Sequence, residues 1–180
     1  MSDGLPPRTP REVVRTYLEM RDPAALRGES LDEPGLRVRP CAPCTTATYR
    51  ALYGAVGAAY AWRDRDAWTD DALAAYLARP GVAVWILVDD AATDPAGYFE
   101  LVRHDDGAVE IAYFGVDARW HGRRLGARLL TAAVREAWAM GATRVWLHTC
   151  TLDAPAALPN YLARGFAVTH REAYLVDLGV

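Results

Sequence analysis

Between Val82 and Val116 short runs of β-branched and aromatic residues alternate with polar turns, and the pattern predicts a three-strand meander. Val82 to Val88 is one run, Gly97 to Arg103 the next, and Val109 to Val116 the third. Such residues fit a pleated, half-buried surface. Asp89 to Pro95 reads as a turn, and His104-Asp105-Asp106-Gly107 carries a hairpin signal. The period then changes. From Arg124 to Met140, Gly126, Leu129, Leu130, Ala133, Val134, Ala137 and Trp138 keep helical spacing, and Gly141 ends the stripe. Val145 to Cys150 is a further strand. Pro155 to Arg164 is a short helix stopped by Gly165, and Phe166 to Val176 supplies the last strand or strands.

Upstream, Leu36 to Arg39 alternates as a strand. Thr45 to Ala59 places Tyr49, Leu52, Tyr53 and Val56 on one helical stripe. Tyr60 to Trp68 is a loop of aromatics and charges. Thr69 is placed to cap a helix through Leu73, Tyr76 and Leu77 that stops at Pro80-Gly81. Pro10 to Met20 reads as a short helix with Thr9 as N-cap, Pro10 at its first position, and Val13, Val14, Tyr17 and Leu18 on one face. Residues 21–35, rich in Asp, Pro, Gly and Glu, read as a linker. Residues 1–35 are therefore expected to be an N-terminal extension, and 36–180 a single α/β domain. Its element order implies a mixed sheet with helices on its faces.

Composition narrows the partners. The 180 residues carry a net charge of −3, so no global basic field attracts nucleic acid, and an anion site must be local. No apolar run reaches the roughly 18 residues needed to cross a bilayer. The polar, proline-rich start lacks a signal-peptide core, so a cytoplasmic protein is expected, with no membrane partner. Cys41, Cys44 and Cys150 make no disulfide framework. Cys41-Ala-Pro-Cys44 lacks the second ligand pair that zinc requires, so no metal is expected; a redox pair ahead of a helix is the lesser alternative.

The chemistry concentrates in Glu110-Ile-Ala-Tyr-Phe-Gly-Val116 and in His121-Gly-Arg-Arg-Leu-Gly-Ala-Arg-Leu-Leu130. A strand delivers the chain to a glycine-containing turn that opens a helix. Helix N-termini present unpartnered N–H groups and the positive end of the dipole, which suits phosphate. Gly122 and Gly126 let backbone approach an anion, and Arg119, Arg123, Arg124 and Arg128 add charge. The sequence contains neither a P-loop pattern nor a dinucleotide fingerprint. On the residues alone, a surface loop with solvated arginines competes evenly with an anion site.

The segment resembles the acyl-CoA-binding core of the GCN5-related N-acetyltransferase (GNAT) family, whose motif is Gln/Arg-x-x-Gly-x-Gly/Ala. His121, Arg124 and Gly126 take the first, fourth and sixth positions; His and Arg depart from the pattern. Asp153 to Phe166 resembles the family's late helix, with Ala157, Tyr161 and Gly165-Phe166 at its small, Tyr and Gly-Phe positions and Ala154 where Asn is usual. The likeness covers roughly residues 36–176. It implies a GNAT-like acyl-CoA N-acyltransferase fold: a mostly antiparallel sheet of six to seven strands, helices on both faces, and a splayed central strand pair holding acetyl-CoA. Backbone of Phe114 and Val116 would meet the pantetheine arm, with Gly115 permitting a bulge. His121, Gly122, Arg123, Arg124, Leu125, Gly126 and Ala127 would cradle the pyrophosphate.

The implied reaction needs a base, an acid and a carbonyl-oxygen donor. Glu110 is the first candidate base; it alternates with Ala112 and Phe114, which points it into the cleft. Glu100 on the neighbouring strand shares or replaces that role. His148 has a pKa suited to proton shuttling, though a core histidine is the competing reading. Tyr161 takes the position of the family's general acid and also contacts the cofactor. Tyr60, Trp62 and Tyr113 are the candidate acceptor-binding aromatics, with Tyr53 and Trp68 beside them and Asp64, Asp66, Asp70 and Asp71 to attract a cationic amine. The expected function is acetyl transfer to a primary amine, of a small molecule first, by direct attack in a ternary complex. A non-catalytic acyl-CoA sensor, a protein or peptide N-acetyltransferase, and a binder of another nucleotide are the alternatives. Residues 1–35 would cover the cleft or pack on a partner subunit in a homodimer.

Overall fold

A computed structural model describes residues 10–60 and 62–176. The elements are β1 (Arg11–Met20), β2 (Leu36–Pro40), α1 (Thr46–Gly57), α2 (Asp70–Leu77), β3 (Val82–Asp89), β4 (Gly97–Arg103), β5 (Val109–Val116), α3 (Leu125–Ala139), β6 (Val145–Cys150), α4 (Ala157–Arg164) and β7 (Ala167–Val176). Thr45 and Thr69 cap α1 and α2 through their hydroxyls, as their positions predict.

The seven strands form one sheet in the order β2-β3-β4-β5-β6-β1-β7. Every neighbouring pair is antiparallel except β5 and β6. Those two pair only at Val109↔Val145 and Glu110↔Trp146, then separate. The gap beyond Glu110 is the expected splay.

The helix expected over residues 10–20 is a strand instead; Thr9, its expected cap, lies outside the described residues. β1 is an inner strand, antiparallel to both β6 and β7, so the sheet draws on residues from both sides of the boundary read at residue 36. Thr16, Leu18 and Met20 are buried at alternate positions, the strand period. The spacing of Val13, Val14, Tyr17 and Leu18 satisfies a helical face equally well. Two flanking ladders of hydrogen bonds decide for the strand, because tertiary pairing outweighs a weak local preference.

Each face of the sheet has its own core. On one, Leu129, Leu130, Ala133, Val134 and Ala137 of α3 pack on Phe99, Leu101, Ile111 and Leu147. On the other, Tyr49, Leu52, Tyr53 and Val56 of α1 and Leu73 of α2 pack on Val84, Ile86 and Tyr98. A bulge interrupts β4–β5: Glu100 pairs with Tyr113 but Leu101 with Ile111, which leaves Ala112 extra. The extra residue reverses the alternation. Glu110 therefore shares its face with Tyr113 and Glu100, not with Phe114 as strict alternation implied. The bulge is also not at Gly115. That glycine is needed because a Cβ there would stand 2.3 Å from Val56 Cγ1 of α1.

Candidate active site

The β5–β6 gap opens into a cleft of about 1880 Å³. Phe114, Gly115 and Val116 line one wall, Cys150, Leu152 and Tyr161 another, and the start of α3 closes one end. That helix begins at Leu125, and its cap residue Arg124 makes no side-chain capping bond. The first-turn N–H groups of Leu125, Gly126 and Ala127 thus have no intrahelical acceptor, and all three residues line the cleft. A Cβ on Gly126 would meet only the Asn160 side chain, at 3.8 Å. Asn160 Nδ2 donates to Gly126 O at 3.2 Å and ties α4 to this turn.

Arg124 has φ 58 and ψ 19, the left-handed region. This is the motif position where glycine is usual, and a β-carbon there costs of order 1 kcal/mol. The backbone thus keeps the cradle's shape with an arginine in glycine's place. His121 lines the cleft, and its Nε2 lies 3.0 Å from Val116 O at the end of β5.

The segment read as a linker lies across this end. Glu29 accepts from Arg124 at 3.0 Å and from Arg164 at 2.7 Å. Glu33 pairs with Arg123 and, at 3.0 Å, with Arg128. Arg164 first, then Arg124, hold the Glu29 carboxyl below the usual carboxylate range. The Glu29 N–H bonds Thr131 Oγ1 of α3, and Arg27 donates to Leu162 O and Ala163 O at the end of α4. Of these, Arg124, Arg164 and Glu29 line the cleft, two arginines to one glutamate, whereas Arg123, expected in the cradle, and Arg128 lie off its wall with Glu33.

Glu110 lines the cleft where β5 and β6 part. Its Oε2 lies 3.0 Å from His104 Nε2, across the hairpin. Burial raises its pKa above the ordinary glutamate value, and His104 opposes that shift. Tyr161 is buried beside Phe114 and Phe166. Desolvation, then the charge of Asp153, raises its phenol above the ordinary value, so it stays protonated. His148 is exposed to the cleft from β6, with Tyr17 edge-on at 5.7 Å. Desolvation within the cleft, then Arg15, lowers its pKa and keeps it neutral.

Glu100 is not in this group. It is fully buried and absent from the cleft wall. Its carboxylate accepts from Tyr49 Oη at 2.5 Å, from Tyr76 Oη, and from Arg65 Nη2 at 3.0 Å. Arg65 lies 4.1 Å from the ring centres of both Trp68 and Tyr76. Three donors and two aromatic faces complete a buried ion pair that fixes the 62–68 loop on the sheet.

Tyr60, Trp62 and Tyr113 all line the cleft. Trp62 packs on Tyr53 and Tyr113, with ring centres 5.6 and 5.1 Å away, and Tyr113 Oη donates to Asp64 at 3.2 Å. Of the expected aspartates only Asp64 lines the cleft; Asp70 pairs with Arg50. Tyr53 is core, and Trp68 lies outside the cleft against Arg65. Among the described residues no group of three or more His, Cys, Asp or Glu is placed to hold a metal. Cys41, Cys44 and Cys150 are free and half-buried. The neighbouring Cys44 thiol lowers Cys41 to about 7.

Sequence reading missed His104, Arg15 and Glu29 as cleft residues. Only His104 left a signal, since the hairpin carries it back to within reach of Glu110.

Comparison with known proteins bears on this arrangement. No curated protein matches the chain. Among solved structures, a GCN5-related N-acetyltransferase from Kribbella flavida superposes with a TM-score of 0.63 at 21% identity, over 93% of this chain and 59% of that one. One from Sphaerobacter thermophilus gives 0.65 at 20%, over 96% and 54%. An aminoglycoside acetyltransferase from an uncultured soil metagenomic sample gives 0.60 at 16%, over 73% and 88%. These identities speak for the fold alone, and the chain spans less than two thirds of the first two structures. Sequence speaks for the family. The Acetyltransferase (GNAT) family model matches residues 49–166, more than half of the chain, from within α1 through the gap to Phe166. The chain belongs to the GNAT acetyltransferase family.

Proposed function

We propose that this protein is an N-acetyltransferase that moves the acetyl group of acetyl-CoA to a primary amine of a small molecule, by direct attack in a ternary complex in the cytoplasm. The observation that carries the reading is the uncapped, arginine-flanked N-terminus of α3 at one end of the β5–β6 gap. A pyrophosphate needs N–H donors, positive charge and room, and the turn from Gly122 to Ala127 offers all three. The open strand edge at Phe114 to Val116 suits an extended, amide-bearing arm. The residues present therefore fit coenzyme A.

Bound there, acetyl-CoA supplies an acyl group activated as a thioester. Glu110 removes the proton that the amine loses as its nitrogen–carbon bond forms, with His104 holding the carboxylate. The raised pKa suits a group that both takes and releases a proton near neutrality. Tyr161, protonated by its surroundings, donates to the sulfur as the carbon–sulfur bond breaks. An amine and a thioester thus become an amide and a thiol. Asp64 and Glu110 attract the incoming amine, and Tyr60, Trp62 and Tyr113 wall its path.

The test is incubation with acetyl-CoA and a panel of primary amines, read by release of free thiol. Release that depends on an amine is the expected result. Acetyl-CoA binding with no release from any amine would replace the enzyme with a binding module. A thermal shift with ATP or NAD but none with acetyl-CoA would overturn the donor assignment; a ligand at 100 times its Kd stabilises by about 2.7 kcal/mol.

A further inference from the structure

Arg15 stands on β1 opposite Cys150 of β6 and Glu172 of β7. Leu18 and Met20 turn into the α3 core, so Arg15 and Tyr17 turn to the opposite face, that of Glu110 and Tyr113. His148 and Cys150 face the same way, as their register partners. α1 packs over β4 and β5 and α2 over β3, away from β1. Arg15 therefore lies on the floor of the cleft, on the face opposite α3 and α4 and their arginines.

The guanidinium lies over the Tyr174 ring, 5.0 Å from its centre, and both residues line the cleft. Its Nε is buried and has no hydrogen-bond partner. Among the described residues, no carboxylate pairs with it. The acids nearby are engaged elsewhere: Glu172 accepts from Tyr17 Oη at 3.1 Å. Asp153 accepts from Thr149 Oγ1 at 2.6 Å and from Cys150 N at 2.8 Å. A buried N–H of a charged group left without an acceptor is costly. Arg63 and Arg79 also line the cleft, where the three arginines share the wall with Asp64, Glu110 and Asp153. The unpartnered Nε of Arg15 is therefore the donor on this floor that an anion would satisfy.

We propose that Arg15 anchors the carboxylate of the acceptor, so that the acceptor is an amino acid whose amine reaches Glu110. This rests on the acetyl-transfer reading above. Asp64 and Glu110 receive the ammonium end, Arg15 the carboxylate, and the rings of Trp62, Tyr113 and Tyr174 an apolar side chain. The guanidinium fork suits a planar carboxylate.

The test uses pairs that differ only in the carboxylate: phenylalanine against phenethylamine, and methionine against 3-(methylthio)propylamine. The wild type should favour the amino acid in kcat/KM by about tenfold or more, the scale of one charge-assisted contact. Arg15→Gln should collapse that ratio towards one through KM rather than kcat, and Arg15→Lys should restore part of it. A turnover-free arm titrates N-acetylphenylalanine and N-acetylphenethylamine into the protein with coenzyme A present. The first should bind the wild type and bind Arg15→Gln at least tenfold more weakly, with the melting temperature showing that the variant is folded. No preference for the carboxylate, or a preference that survives Arg15→Gln, overturns the proposal. Thiol release with phenethylamine alone would overturn it and leave acetyl transfer intact. Phosphoethanolamine outperforming both amino acids would reassign the anchor to phosphate and overturn the carboxylate.

Discussion

The two ends of the cleft are built in different ways. The end formed by α3 is made chiefly of backbone: a strand edge, a turn and the first N–H groups of a helix, all contributed by residues 114–127, with Tyr161 added from α4. The opposite floor is made of side chains from β1, β5, β6, β7 and the 60–65 loop. Backbone donors tolerate substitution, which is why an arginine can stand at the left-handed cap and leave the turn intact. A floor of side chains has no such tolerance, since exchanging one residue changes what it recognises.

Five substitutions probe that contrast, from the largest expected effect to the smallest. Glu110→Gln should lower kcat by about 10²–10⁴ while acetyl-CoA binding persists, the range for loss of a general base. A related pH profile sharpens it. Burial raises the Glu110 pKa, so the base is lost at a higher pH than an ordinary glutamate would allow as the solution is acidified. His104 pulls that pKa down, so His104→Gln should move the acid limb of kcat/KM to higher pH. An unmoved limb would break the pairing of the two residues.

Glu100→Ala should act on stability, costing about 3–5 kcal/mol in denaturant unfolding, because it strands Arg65 as a buried charge. An unfolding midpoint unchanged beside a large fall in kcat would return Glu100 to the catalytic group. Gly126→Trp should weaken acetyl-CoA binding about 100-fold, or about 2.7 kcal/mol, by filling the cradle. Calorimetry that finds affinity retained would mean that the turn is not the anion site. Arg124→Gly should raise the unfolding free energy by about 1 kcal/mol, since glycine adopts φ 58 without strain. A destabilised variant would mean that the arginine's contacts outweigh its backbone.

Much of the fold was legible because its signals are local. The α3 stripe repeats through four turns, and the runs read for β4, β5 and β6 end where the strands end. The threonine caps and Gly165 act within their own turns. β1 was read as a helix because Val13, Val14, Tyr17 and Leu18 fit both periods, and the deciding partners lie more than a hundred residues away. Glu110 lines the cleft, but its neighbours on that face are not those of strict alternation, because one bulged residue on β5 leaves no mark in the sequence pattern.

What the sequence determined by itself is the element order from β2 onward, the glycine turn that opens α3 and the tyrosine of α4, since each is a short-range pattern of spacing, glycine and charge. What only the tertiary structure decided is which side chains meet. It buried Glu100 under Tyr49, Tyr76 and Arg65, set His104 on Glu110, laid Glu29 across the arginines, and brought Arg15 from the start of the chain to the cleft floor. Those meetings depend on sheet register and strand order. Hydrogen-bond ladders between distant segments set both, and no local pattern encodes them.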